Sequence, residues 1–370
     1  MKKTTLYDKH IEASAKMVDF AGWGMPLHYG SQISEHKSVR SDAGIFDVSH
    51  MRFLSIGGED ATAFLRLLIC GDVQTLIDGQ GLYSCLLTEQ GGIIDDLIVY
   101  KINSNDYRMV VNAGTATKDI AWMEKQLNAL GFAGKVTLSE HNDKNILALQ
   151  GPNACAKFAA AFPEYAAAQE LDKFHFASYA DGDVFVARTG YTGEDGYEVV
   201  ISDSVVIDFW DKLMASGFVP TGLGCRDTLR LEAGMSLYGN DLDEEHSPLS
   251  SALSWAVHWN KDAAEPRDFI GKNHLLQEKE AGVQQKIVGI YMTTPGVLRS
   301  GTKVTTEQGE GVLTSGGFSP TLNHSIALAR IPFAHKGSEC SLTIRDKEVA
   351  AKIVRPPFVK DGKANEKMIY

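Results

Sequence analysis

Apolar positions recur at helical spacing in several stretches of the chain. Ile120, Met123, Leu127 and Leu130 lie three or four residues apart, behind Thr117 and ahead of Gly131. That pattern predicts a helix with Thr117 as its N-cap and Gly131 as its stop. Residues 61–69 and residues 205–215, the latter carrying Phe209, Trp210 and Leu213, have the same period. A further short helix is predicted over 226–233, after a Gly222-Leu223-Gly224 turn.

Between these stretches the pattern changes to that of strands. Residues 93–100 (IIDDLIVY) follow Gly91-Gly92, and residues 107–111 are their expected hairpin partner across Asn103-Ser104-Asn105-Asp106. Residues 183–188 predict another strand. Hairpins and helices interleave without regular βαβ spacing, which favours an α+β class over a doubly wound sheet. Beyond Gly282 the chain turns into short apolar runs, 286–292, 311–315, 325–329 and 349–354, separated by Gly, Ser and Pro. A small β-barrel or sandwich reads this way. The charged run Gln277-Glu278-Lys279-Glu280 reads as the linker before it.

Length and charge narrow the possibilities. A chain of 370 residues suits two or three domains. Its net charge of −11 argues against nucleic acid as the main partner, since phosphate binding needs a basic excess. The five cysteines are scattered and none forms C-x-x-C, so no zinc or redox dithiol site is expected. The histidines have no metal-ligand spacing, so no metal is expected either. Met1-Lys2-Lys3-Thr4-Thr5 leads into no apolar stretch, and no run of about 18 apolar residues occurs. The expectation is a cytoplasmic protein with no membrane association.

Four constellations carry candidate chemistry. Asp95-Asp96 interrupts an otherwise apolar strand, where an unpaired carboxylate is costly to bury. Alternation along a strand points the two to opposite faces, so they are not a shared-proton dyad. The segment from Arg188 to Glu198 has its glycines at 190, 193 and 196, and its acids Glu194, Asp195 and Glu198 would repel a phosphate. A carboxylate there suits a ligand edge rich in N–H donors; the alternative is a turn with solvated acids. Arg226 and Arg230 are four residues apart on one helix face, with Asp227 and Glu232 as available partners, so Arg226 either holds an anionic or carbonyl-bearing ligand or makes a surface salt bridge. His50 lies near Asp47 with no nucleophile motif and reads as a structural histidine, while Met51 suits the lining of an aromatic ligand.

In order along the chain, the segments DFAGW (19–23), FDVSHM (46–51), GGIIDDLIV (91–99), ALQGP (148–152), residues 190–198, residues 226–234, LYGN (237–240), SGGFSP (315–320) and PFV (357–359) resemble the aminomethyltransferase (T-protein) family of the glycine cleavage system. The resemblance implies a three-domain cloverleaf: two α+β domains with ferredoxin-like elements and a C-terminal β-barrel-like domain. The expected division is residues 1–52 with 138–245, residues 53–137 with 246–281, and residues 282–370. It implies tetrahydrofolate as co-substrate and lipoylated H-protein as the carrier of the aminomethyl group. Carried onto this sequence, Asp96 is the catalytic residue, acting by positioning and by stabilising a cationic, iminium-like carbon rather than as a simple base. Glu198 accepts from the pterin N–H edge and Arg226 holds its other side. Met51, Tyr83, Val110, Asn112, Tyr191, Tyr238 and Trp255 line the folate site, and Lys360 or Lys363 is the candidate for the glutamate tail.

Two relatives of that fold give rival expectations. A folate-dependent demethylase shares the folate site, but this chain keeps both the 190–198 and 226–234 segments and has no flavin domain. A non-catalytic folate-binding protein of iron–sulfur assembly carries a cysteine in the 190–198 loop and lacks the aspartate; here the loop has no cysteine and Asp96 is present.

Overall fold

The computed structural model describes residues 1–259 and 267–368. Two sheets and a barrel organise it. The first sheet has six strands in the order Phe176–Tyr179, Val184–Ala187, Gly196–Ser202, Lys144–Gln150, Gly44–Asp47 and Val219–Pro220. The second has five, in the order Gln80–Leu87, Ile93–Asn103, Asp106–Val111, Arg52–Gly57 and Thr137–Glu140. The second unit therefore runs slightly beyond residue 137, because Thr137–Glu140 pairs with Arg52–Gly57. Six antiparallel strands from Gln285–Met292 to Lys347–Val354 close into a barrel. The α+β class and the C-terminal barrel expected from the sequence are both present.

Alternation decides which way each strand residue faces. Leu97 and Val99 of the strand Ile93–Asn103 join the core under the helices Ala61–Leu68 and Ala116–Ala129. Ile98 and Tyr100, of opposite parity, meet Phe46, Ala148, Phe185 and Val200 of the first sheet. The two sheets thus share one apolar layer, and Asp96 follows Ile98 and Tyr100 onto that face. Leu229 and Cys225 of the helix Leu223–Glu232 complete the layer.

Three local expectations need correction. The helix Ala116–Ala129 starts earlier than expected, with Thr115 and not Thr117 at its N-cap position; the Thr115 hydroxyl bonds back to the Asn112 carbonyl at 3.2 Å. The predicted turn at 222–224 is the start of a helix, since Gly222 caps Leu223–Glu232. The charged run at 277–280 lies in the helix Lys272–Ala281, and only Leu275 of that helix is buried. A helix with so narrow an apolar contact reads from sequence as a linker.

Candidate functional site

The strand Ile93–Asn103 holds Asp95 and Asp96 in different surroundings. Asp95 is fully buried, and Asn112 grips it twice, from its backbone N–H to Oδ2 at 3.0 Å and from Nδ2 to Oδ1 at 2.9 Å. Asp96 is half-buried on the inter-sheet side. Its Oδ2 accepts from the Tyr83 hydroxyl at 2.9 Å and its Oδ1 from Asn112 Nδ2 at 2.9 Å. Register accounts for this reach. Ile98 faces Val110, so two residues further on Asn112 comes opposite Asp96 at the strand end.

Burial pushes the Asp96 carboxyl up to about 7, aided by the charge of Asp95, while the Tyr83 and Asn112 donors pull the other way. Burial and the Asp96 charge lift the Tyr83 hydroxyl well above its ordinary value, so it remains a proton donor. Asp96 therefore changes charge near neutrality, with one fixed donor on each oxygen.

Glu198 and Arg226 form the other end of the site. Glu198 lies opposite Ala148 on the face that carries Val200, and so enters the same inter-sheet layer. Its Oε2 accepts from Thr189 at 2.8 Å, whereas Oε1 stands 4.0 Å from Arg226 Nη2. The Arg226 guanidinium lies over the Tyr191 ring at 4.9 Å. Among the described residues its buried Nη1 has no acceptor. Burial lowers the Arg226 pKa, opposed by the charges of Glu198 and Tyr191. A buried guanidinium nitrogen without a partner is a binding position waiting for an acceptor.

The glycine-rich segment has a packing role. A Cβ at Gly190 would lie 2.0 Å from Gln150 Oε1, and one at Gly196 would lie 2.0 Å from the Leu149 carbonyl. Gln150 is buried there, and its Nε2 donates to the carbonyls of Leu149, Thr189 and Tyr197. The glycines let the loop close over this side chain. Glu194 and Asp195 are not solvated acids: Arg40 binds the first at 2.7 Å and Arg188 the second at 2.7 Å. Glu198 alone of the three acids faces the site.

The remaining expected residues fall into two groups. Met51 and Val110 pack on the inter-sheet core. Trp255, 62% exposed, stacks on Tyr83 with centroids 5.4 Å apart. Tyr191 donates to the Ser236 carbonyl, and Tyr238 donates to the Ile93 carbonyl at 3.1 Å beside Lys118. Lys360 and Lys363 are exposed on the small hairpin of Val359–Lys360 and Lys363–Ala364.

One expected partnership does not form. Glu232 serves neither Arg226 nor Arg230; it binds Arg40 and His36, while Arg230 is held by Asp227 and Asp241. Arg226 makes no surface salt bridge, since its side chain is mostly covered and its nearest acid is Glu198, which is covered as well. Asp47, near His50 in sequence, spends its oxygens elsewhere, accepting from Thr4, His10 and the Ser49 N–H. His50 itself is buried, and burial lowers it to about 4, which keeps it neutral. Sequence reading missed Asp119. It lies one residue before Ile120 in a helix identified by its apolar period, and a lone acid in a first turn reads as a helix-end charge.

The likeness to known proteins covers nearly the whole chain. The model of the GCVT N-terminal domain matches residues 6–261, and that of the glycine cleavage T-protein C-terminal barrel domain matches residues 285–360. An aminomethyltransferase of Nitrosomonas europaea is 51% identical over 370 residues, covering 98% of this chain and 99% of its own. One of Chromobacterium violaceum is 51% identical over 364 residues, covering 98% of each. The crystal structure of glycine cleavage system aminomethyltransferase T from Bartonella henselae has a TM-score of 0.90 at 35% identity, covering 98% of this chain and 99% of that one.

Proposed function

The chain belongs to the glycine cleavage T-protein family, and on that premise we propose that Asp96 is its catalytic residue and that Glu198 and Arg226 hold the pterin of tetrahydrofolate. The protein is a tetrahydrofolate-dependent aminomethyltransferase of the glycine cleavage system. The observation that carries the site reading is the half-buried Asp96 carboxyl, fixed by Tyr83 and Asn112 in the same inter-sheet layer as Glu198 and the unpartnered Arg226 Nη1.

The residues fit a folate. Glu198 Oε1, which has only the Arg226 guanidinium at 4.0 Å beside it among the described residues, accepts from an amino-pyrimidine N–H edge, and Arg226 Nη1 donates to a ring carbonyl or nitrogen. Trp255 and Tyr83 offer a stacked aromatic wall. Tetrahydrofolate supplies the nucleophilic nitrogen that takes up the one-carbon unit. Asp96, once ionised, holds the positive charge that develops on the transferred carbon, and its two protein donors spare it any reorganisation as that charge appears.

Lipoylated H-protein is the proposed donor of the aminomethyl group, with ammonia and the dihydrolipoyl carrier as the other products. Among the described residues no group of His, Cys, Asp or Glu is arranged to hold a metal ion. The scattered cysteines suit a reducing, cytoplasmic setting. The test mixes the purified protein with tetrahydrofolate and aminomethyl-loaded H-protein and assays ammonia. Release of ammonia together with 5,10-methylenetetrahydrofolate is expected. No ammonia, alongside demethylation of a methylamine or sulfonium, would favour a folate-dependent demethylase.

A further inference from the structure

The role given to Asp96 leaves one neighbouring buried group without a task. Asp119 stands in the first turn of the helix Ala116–Ala129 and is fully buried. Among the described residues no N–H reaches either of its oxygens. Its polar neighbours are the Asp95 carboxyl and the Thr115 hydroxyl, and that hydroxyl's single proton is directed to the Asn112 carbonyl. Two facing carboxylates do not both stay ionised in such surroundings, because keeping a proton is far cheaper than burying a second unpaired charge.

The donors decide where that proton sits. Both Asp95 oxygens are occupied by N–H groups of Asn112, which favour the anion there. Asp119 has no such N–H donor, and that difference favours keeping the proton on Asp119, facing Asp95. Burial pushes both carboxyls up from their ordinary value, in keeping with one retained proton. The other groups facing this cluster are Asp96 on the same strand, Tyr83 and Cys85 from the neighbouring strand, Tyr191, and Tyr238 with Lys118. Lys118 does not neutralise the pair outright, since its Nζ is committed to Glu244 at 2.7 Å and to the Tyr238 hydroxyl at 2.9 Å.

We propose that Asp119 is a positioning residue for the transfer: as a neutral acid it donates to Asp95, Asp95 fixes Asn112, and the Asn112 amide aims Oδ1 of Asp96. The proposal rests on the reading of Asp96 as the group that meets the transferred carbon. The relay enters the site through Asn112 Nδ2, which bonds both aspartates. Loss of the Asp119 proton at high pH places a further negative charge behind Asp95 and disturbs that aim.

The test measures initial rates of ammonia release against pH for the wild-type enzyme and for Asp119→Asn, Asp119→Leu and Asp96→Asn. Asparagine keeps an N–H donor to Asp95 with no titrating proton, whereas leucine keeps the size and removes the donor. Asp119→Asn is expected to keep kcat within about threefold and to hold its rate further into the alkaline range than wild type. Asp119→Leu is expected to lower kcat by about 10- to 100-fold with KM for tetrahydrofolate within about twofold. Full turnover in Asp119→Leu, or an alkaline limb in Asp119→Asn identical to that of wild type, overturns the proposal. Should the leucine variant not fold, the alkaline limb of Asp119→Asn decides alone. Normal turnover in Asp96→Asn removes the reading of Asp96 and this inference with it. An inactive Asp96→Asn beside an unimpaired Asp119→Leu overturns this inference only.

Discussion

The Tyr83 hydroxyl donates to Oδ2 of Asp96 at 2.9 Å, on the oxygen that Asn112 leaves free. With one neutral donor on each oxygen, the carboxylate is held in place, and among the described residues no cation pairs with it. Such a group suits a substrate that becomes positive during the reaction.

Removing that donor should weaken the anion. Tyr83→Phe is expected to raise Asp96 further above its present value of about 7 and to move the acid limb of kcat to higher pH by about one unit. The pH–rate profile of the variant reads this directly. An unmoved limb would mean that the hydroxyl does not tune Asp96.

Asp96→Asn should keep the fold and folate binding and lose most turnover, as read by ammonia release and by calorimetric titration. Its stability carries a second signature. The folded-state value near 7 lies above the ordinary 3.8, so the stability that Asp96 contributes is complete below about pH 4 and is lost as pH rises through 7. The asparagine variant pays no such penalty. It is expected to match wild type near pH 4 and to exceed it by a margin that grows as pH rises from 4 to 8, measured by denaturant unfolding.

Glu198→Gln should weaken tetrahydrofolate binding by about 1–3 kcal/mol, because a charge-assisted acceptor becomes a neutral one. Calorimetric titration gives the figure. Unchanged affinity would reduce Glu198 to an acceptor for Thr189.

Glu232 ties the helix Leu223–Glu232 to the barrel, accepting from Ser319 at 2.5 Å and from the Thr321 N–H at 3.0 Å while pairing with Arg40 at 2.8 Å. Burial alone would raise this carboxyl, but His36, Arg40 and Ser319 bring it down to about 2. Its contribution to stability is therefore present above about pH 4.5 and lost as pH falls through 2. Glu232→Gln is expected to cost about 1–3 kcal/mol at pH 7, since Arg40 and His36 lose a charged partner while Arg40 keeps Glu194, and to show a shallower loss of stability in acid. Thermal unfolding from pH 7 to pH 2 measures both.

Much of this architecture was legible from periodicity. The helices at 61–68, 116–129 and 206–215, the hairpin of 93–103 with 106–111, and four of the six barrel strands follow from spacings within a few residues; the barrel strands Lys303–Thr306 and Glu339–Ile344 do not. The different surroundings of Asp95 and Asp96 follow from alternation, a property of each strand alone. Helix starts were less legible. Thr115 and Thr117 are equally good caps by residue type, and the choice between them depends on how the chain leaves the preceding strand at Asn112.

The sequence by itself determined the elements, the α+β class with its barrel, and the family, because each of these is carried by local pattern or by ordered motifs. Which charges neutralise one another was decided only by the tertiary structure. Arg40 reaches Glu194 and Glu232 across 154 and 192 residues, and Arg230 takes Asp241 as well as its near neighbour Asp227. The placing of Asp119 behind Asp95 required a helix and a strand to pack. An ion pair or a shared proton forms wherever the fold brings groups together out of water, and sequence separation says little about where that is.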